Sequence, residues 1–156
     1  MKNYAPSDSN INLQIFHTIH HEFTHIFDQT IKRPSEFDNV SQGGYSSSWY
    51  TQSDDEARSK GFITAYASSA AVEDFAEMVG LMLLYGRSQW NYIIANIGDY
   101  YIDPNTGQPF FVPNEIAQNA IHQKEDIVVG YFKTFWKIDF YSLQTRVRKA
   151  IENEIY

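Results

Sequence analysis

The stretch HHEFTH at residues 20–25 lies in the middle of residues 12–30, where apolar residues recur at helical spacing. In an α-helix, residues i and i+4 share a face, so His21 and His25 can direct ring nitrogens at one metal ion. Glu22 is rotated from the first histidine by roughly 100° about the helix axis. From there its carboxylate can take a proton from a water on the metal. The stretch therefore predicts two metal ligands and a general base.

The pattern HExxH alone indicates a metal site only moderately, because a polar, histidine-rich helix face can produce the same letters. The longer metzincin pattern HExxHxxGxxH does not fit this sequence. Asp28 stands at its glycine position and Ile31 at its last histidine position. A third metal ligand must therefore come from another part of the chain.

Glu73 is the best candidate for the third ligand. It lies in YASSAAVEDFAE at residues 66–77, which predicts a short extended end followed by a second helix. Glu73 and Glu77 share a face of this otherwise apolar helix, and two acids facing a buried partner repel unless a cation compensates them. The alternative, favoured for this segment alone, is a solvated acidic stripe near a helix N-terminus that includes Asp74. Considered together with the two histidines, the metal site is favoured.

Both segments resemble known zinc proteases. HEFTHIFD at residues 21–28 is similar to the HEFxHxxD of the anthrax lethal factor protease domain. Tyr66, Glu73 and Glu77 match the Y-x6-E-x-F-A-E spacing of that family. Residues 20–78 and the helical C-terminal third most closely resemble the zinc-binding metallopeptidases found as lipoproteins in Bacteroidetes. Their signature is HEFxHxxxQ followed by YAxxxxxEDFAEM.

The resemblance implies a mainly α fold with minor β structure, forming the zincin-like (gluzincin) catalytic lower lobe of a metalloprotease. It implies Zn²⁺ as the cofactor and peptide-bond hydrolysis as the reaction. Position by position, it makes His21, His25 and Glu73 the zinc ligands and Glu22 the catalytic base.

The resemblance also implies roles for residues around the ligands. Tyr66 would face the oxyanion, although a tyrosine is more often a packing residue and only its spacing to Glu73 favours this role. Glu77 would orient His21, since a metal-bound imidazole usually donates its other N–H to a carboxylate. Asp28 also matches the family pattern, and it would support the metal ligands without binding the metal itself. His17 lies four residues before His21 on the same helix face, which leaves its role open.

The length, charge and hydrophobicity of the chain narrow the classes of molecule that it is expected to bind. The 156 residues, 43% of them hydrophobic, fit one globular domain over residues 1–156. Zincin proteases usually encode a substrate-binding lobe before the HExxH helix, so we expect this domain to be the C-terminal part of a longer protein, the alternative being a protease that dispenses with that lobe. A net charge of −7 without a long basic block argues against nucleic acid. No apolar stretch approaches the roughly 20 residues of a membrane span. The expected partner is a peptide or protein substrate, and the oligomeric state is left open.

Localisation rests on the resemblance alone, which implies an extracytoplasmic protein in the periplasm or on the cell surface, held there by a lipid anchor in its full-length form. Two other functions stay open. A catalytically inactive zincin-like module could bind glycans or peptides through its aromatic residues, which make up 16% of the chain. A purely structural helical bundle would need no metal.

The rest of the chain predicts further elements. Pro34 closes the first helix, and residues 32–50 form an irregular loop. Residues 61–66 form an extended piece that brings Tyr66 to the cleft. Gly86 ends the second helix. Apolar spacing then predicts the following elements: a short helix at 88–97, a turn at 103–107 between extended pieces, and core-facing helices at 114–135, with Ile116 inward, and at 142–155.

Overall fold

The computed structural model describes residues 9–41 and 43–155. Six α-helices and one antiparallel β-hairpin make up most of this part of the chain. In chain order they are α1 (Ser9–Thr30), α2 (Ser35–Val40), α3 (Asp54–Arg58), α4 (Ala71–Ala95), β1 (Gly98–Ile102), β2 (Pro109–Pro113), α5 (Glu115–Tyr131) and α6 (Phe140–Ile155). Two 3-10 helices, Trp49–Thr51 and Tyr66–Ser69, and a π-helix, Phe132–Trp136, complete the list. The prediction of a mainly α protein with minor β structure is confirmed.

Helix α4 lies at the centre and packs against α1, α5 and α6. It is interrupted at Gly86, whose φ of 72° is left-handed. A side chain there would meet Arg148 of α6, since an added Cβ would lie 2.9 Å from its Cγ. Glycine therefore permits both the bend and the close approach of α6. The sequence predicted that Gly86 ends the second helix and that a short helix follows at residues 88–97. Both segments are confirmed, as the two parts of α4 on either side of Gly86.

The core is built largely from aromatic side chains. Phe75 of α4 contacts Phe37 of α2 and Tyr131 of α5 edge to face, with ring centroids 5.1 and 5.2 Å apart. Tyr131 also donates its hydroxyl to the backbone carbonyls of Phe27 and Ile31 at the end of α1. The Phe27 carbonyl also accepts the backbone N–H of Ile31, whereas the Ile31 carbonyl lies just beyond the last residue of the helix, where no further helical N–H can reach it. The core thereby fixes α1 relative to α4.

Two predicted segments differ from the structure. Residues 32–50 are not a plain loop, because they contain α2 and the first 3-10 helix, and Phe37 of α2 is fully buried. Residues 61–66 do not form a strand. Gly61 has a φ of 82° and ends the turn that follows α3. The Thr64 hydroxyl then accepts the N–H of Ala67, which folds the chain into the second 3-10 helix.

The C-terminal helices follow the prediction with shifted ends. Helix α5 passes directly into the π-helix, and α6 begins at Phe140 rather than at residue 142. Ile116 does not face the core, since it is 85% exposed. It stands on the solvent side of the first turn of α5, whereas the next residue, Ala117, is 2% exposed and faces the core. The turn at residues 103–107 joins β1 to β2 as predicted, with Tyr100 opposite Phe111.

Within the described part of the chain, no helix combines the length and the apolar character that crossing a membrane requires.

Candidate metal centre

The side chains of His21, His25 and Glu73 converge where α1 crosses the first turn of α4. His21 Nε2 lies 3.0 Å from His25 Nε2 and 3.1 Å from Glu73 Oε2. His25 Nε2 lies 3.3 Å from the same carboxylate oxygen. Three potential donors thus form a small triangle, with His21 buried and the other two partly exposed.

The protonation state of His21 decides what can occupy this triangle. His21 Nδ1 lies 2.8 Å from Glu77 Oε1, and an ionised carboxylate only accepts hydrogen bonds. Nδ1 therefore carries the proton, and in a neutral imidazole Nε2 is left with a lone pair that faces Glu73. Burial alone would lower the pKa of His21, but Glu77 and Glu73 together raise it. Either a second proton on His21 or a metal cation resolves the repulsion among the three atoms.

The triangle fits zinc by donor type and by size. Two imidazole nitrogens and a carboxylate oxygen are common zinc ligands, bound at about 2.0–2.1 Å in tetrahedral geometry. Two such ligands lie about 3.3 Å apart in a tetrahedral site. The three edges of the triangle are 3.0, 3.1 and 3.3 Å. The residues present therefore suit the ion, and a fourth position can face the open side of the site.

Glu77 lies behind the triangle and connects a second group of side chains. Its Oε1 lies 3.0 Å from His17 Nε2, and its Oε2 accepts the hydroxyl of Thr64 at 2.8 Å. Burial would raise the pKa of Glu77, but the contacts from His17, His21 and Thr64 hold it at about 2. His17, His21 and Glu77 are a second set of neighbouring donors among the described residues. They share His21 with the first set through its other nitrogen.

Glu22 and Tyr66 stand at the open side of the site. Glu22 is exposed on α1, next to His21. The ring of Tyr66 lies 5.9 Å from that of His21 and 5.0 Å from that of Trp49. Partial burial raises the pKa of Tyr66, and a hydrogen bond with Glu73 and the charge of Glu22 act in the same direction. The structure thus places the Tyr66 ring beside His21, and Glu22 near enough to Tyr66 for its charge to act on that hydroxyl.

The remaining acids near the site bind protein cations. Asp74 forms a fully buried ion pair with Lys124 at 2.6 Å and accepts the Tyr45 hydroxyl at 3.0 Å. Asp28 accepts the N–H of Arg33 at 2.8 Å and pairs with the Arg33 guanidinium at 2.6 Å. Neither carboxylate belongs to the two donor groups. The described contacts of Asp28 are therefore with cations rather than with the histidines.

Sequence analysis missed two residues of the site. Thr64 binds Glu77, and its place two residues before Tyr66 was the only available signal. Gly80 lies on α4 against α1, where an added Cβ would be 3.3 Å from the His17 ring and 3.4 Å from the backbone nitrogen of His21. A glycine within a helix is a weak sign of such close packing. His17 was identified by its spacing, but its contact with Glu77 required the fold.

Comparison with known families agrees with this geometry. Residues 1–141 match the model of a family described as "Putative zinc-binding metallo-peptidase". The metal that this description names agrees with the expected Zn²⁺ cofactor. None of the curated proteins matches the chain.

A solved structure has a similar fold. It is the crystal structure of a "putative zinc-binding metallo-peptidase" from Bacteroides caccae ATCC 43185, with a TM-score of 0.81 and 27% sequence identity. The similarity covers 100% of the present chain and 57% of that chain. The present chain therefore spans a little over half the length of this relative.

Proposed function

The chain belongs to this family of zinc-binding metallo-peptidases, and from that premise we propose that it hydrolyses peptide bonds at the His21, His25 and Glu73 triangle. The observation that supports the proposal most is the triangle itself, in which three donors lie 3.0–3.3 Å apart. We further propose that the fold is the zincin-like catalytic lobe that the HExxH helix predicts. The inactive binding module is not favoured, because the matched family is one of peptidases.

In the proposed site, Nε2 of each histidine and a Glu73 oxygen would hold the ion. Zinc, when bound, supplies Lewis-acid chemistry, which polarises the scissile carbonyl and makes a water more acidic. Glu77 fixes the tautomer of His21, because its carboxylate accepts the Nδ1 proton at 2.8 Å and leaves Nε2 free for the ion. Thr64 holds the other oxygen of Glu77 at 2.8 Å, so the carboxylate cannot rotate away.

Glu22 is the proposed general base. Its carboxylate would remove a proton from the attacking water and then deliver it to the leaving amine. Tyr66 is the proposed oxyanion donor. Because its pKa is raised, its hydroxyl keeps its proton at neutral pH and can donate a hydrogen bond to the developing negative charge.

Metal analysis combined with a hydrolysis assay tests this proposal. The purified protein should hold one zinc ion per chain and cleave an unfolded protein substrate, and a strong chelator should abolish the cleavage. The variant Glu22→Gln should keep its zinc but lose activity by roughly 10²–10⁴-fold, because an amide of the same shape cannot accept the proton.

Glu56→Gln is the matched control, because Glu56 is an exposed glutamate of α3 that caps its own helix. It should retain full activity. Wild-type activity in Glu22→Gln, or a zinc-free active protein, would disprove the proposed mechanism.

A further inference from the structure

Helix α1 presents an unusual face to solvent. Four large apolar side chains lie along it: Ile15, Ile19, Phe23 and Ile26 are 50%, 43%, 55% and 57% exposed. Their spacing of four, four and three residues places them on one side of the helix. We name them the α1 stripe. An exposed helix face normally carries charged residues, and a contiguous apolar strip commonly marks a binding surface.

The α1 stripe borders the proposed catalytic site. Residues 9–30 contain two acidic residues and no lysine or arginine. One of the two, Asp28, is buried, so Glu22 is the charged residue on the exposed side of α1. By helical rotation, Glu22 lies between the edge that carries His21 and the stripe. A molecule that reaches Glu22 from the solvent can therefore contact the stripe as well.

The dimensions of the stripe suit an extended peptide. From Ile15 to Ile26 it is about 16 Å long, because a helix rises 1.5 Å per residue. Along one row of the helix, side chains four residues apart repeat every 6 Å or so. In an extended chain, side chains on one side repeat about every 6.6 Å. Alternate residues of a peptide therefore match Ile15, Ile19 and Phe23, which span about 12 Å, over about five peptide residues.

We propose that the α1 stripe selects the substrate, binding extended segments of unfolded polypeptide that carry bulky apolar side chains at alternate positions. This inference rests on the proposed function, because it makes the stripe a part of the same substrate site. Such segments are buried in folded proteins and become accessible on unfolding. Ile19 and Phe23, which flank Glu22 in sequence, would be the main specificity-determining residues.

Fluorescence anisotropy tests the proposal without catalysis. The probe is a fluorescein-labelled ten-residue peptide of alternating leucine and glutamine, and its control has the same composition with the five leucines consecutive. The protein is the full chain, zinc-loaded, with Glu22→Gln to prevent cleavage. We expect the alternating peptide to bind more tightly. Adding Ile19→Ser and Phe23→Ser should weaken its binding roughly tenfold or more, since two apolar contacts are lost.

Ile116→Ser is the matched control, because Ile116 is an isoleucine on α5 with 85% exposure. It should leave binding unchanged. Equal binding of both peptides, or undiminished binding by the Ile19→Ser and Phe23→Ser variant, would overturn the inference. So would a self-association in sedimentation analysis that these two substitutions abolish, because a second copy would then cover the stripe.

The same experiments separate this inference from the proposed function. If wild-type protein cleaves unfolded substrate, while Ile19→Ser and Phe23→Ser change neither peptide binding in the Glu22→Gln protein nor cleavage in the protein with intact Glu22, the function stands and the stripe inference fails. If peptide binding depends on the stripe but wild-type protein with intact Glu22 cleaves no peptide, the stripe stands as a binding surface and the hydrolytic function fails.

Discussion

Two buried glutamates, Glu77 and Glu125, illustrate different uses of the same side chain. They are 3% and 4% exposed. Glu125 accepts hydrogen bonds from Arg87 at 3.0 Å, Trp90 at 3.0 Å and Tyr141 at 2.9 Å. These donors keep their protons at any ordinary pH. Glu125 therefore connects the second part of α4, α5 and α6 through three donors whose protonation does not change, besides a longer contact of 3.3 Å with the half-exposed His122.

The donors of Glu77 are different. One of them is His21, at 2.8 Å, a residue type that can gain or lose a proton near neutral pH. A second histidine, His17, lies 3.0 Å from the same carboxylate oxygen. His21 also presents its second nitrogen to Glu73 at 3.1 Å. A buried carboxylate with permanent donors stabilises the fold, whereas one that orients a histidine prepares that histidine to bind something else. Burial alone does not separate the two roles, but the identity of the donors does.

The largest expected effect is on stability, in Glu125→Ala. The substitution leaves the buried indole N–H of Trp90 and the Tyr141 hydroxyl without their acceptor. We expect the free energy of unfolding to fall by about 3 kcal/mol. Urea denaturation measures the loss, and metal analysis should show unchanged zinc stoichiometry. If the folded Glu125→Ala protein lost its zinc, Glu125 would also support the metal site, and the distinction between the two glutamates would fail.

The next effect is on zinc affinity, in Glu77→Gln. The amide has nearly the same shape but cannot hold the Nδ1 proton of His21 as firmly, so Nε2 becomes a weaker ligand. We expect zinc affinity to fall by roughly 10–100-fold, measured by competition with a chromophoric chelator. Glu125→Gln is the matched control and should bind zinc like the wild type. Equal losses of zinc affinity in both variants would show that zinc affinity depends on the overall stability of the fold rather than on Glu77.

A third buried carboxylate, Asp28, sharpens the comparison. Its described partners are Arg33 and Lys32, so we place it with Glu125 despite its match to the protease pattern. Asp28→Asn should lower the free energy of unfolding by about 1–2 kcal/mol and leave zinc affinity unchanged. A tenfold loss of zinc affinity in this variant would instead support the ligand-supporting role that the resemblance implied.

The pH dependence of the same variant has a definite sign. Burial would raise the pKa of Asp28, but the Arg33 N–H and the charges of Lys32 and Arg33 hold it below its ordinary value of 3.8. A group with a lowered folded pKa contributes stability above the unfolded pKa and loses it as the pH falls through the folded pKa. The difference between wild type and Asp28→Asn should therefore be constant above about pH 5 and shrink below 3.8.

Sequence reasoning named the three residues of the candidate triangle because their signal is local. His21 and His25 are one turn apart on α1, and Glu73 and Glu77 are one turn apart on α4, so helical geometry predicts each pair. The crossing of the two helices is a tertiary property. It depends on Gly80, which allows the close approach, and on core contacts that no spacing encodes.

The segments that were predicted wrongly depend on side-chain hydrogen bonds or on tertiary packing, which residue spacing does not encode. Residues 61–66 are rich in strand-forming types, but the Thr64 hydroxyl binds a nearby backbone N–H and turns the chain instead. Ile116 was predicted inward from helical spacing, but in the first turn of α5 the neighbouring Ala117 faces the core and Ile116 faces solvent. Helix α2 is too short for a periodic signal, and its burial of Phe37 depends on Phe75 and the rest of the core.

The smallest expected effect is in His122→Ala. His122 lies 3.3 Å from Glu125, as His17 lies 3.0 Å from Glu77, but its side chain is 51% exposed. Glu125 keeps the contacts from Arg87, Trp90 and Tyr141 after the substitution, so we expect the free energy of unfolding to change by less than about 0.5 kcal/mol. Urea denaturation of wild type and variant in parallel measures the change. A loss above 1 kcal/mol or so would mean that Glu125 also depends on its histidine, and the contrast with Glu77 would then rest on the zinc measurements alone.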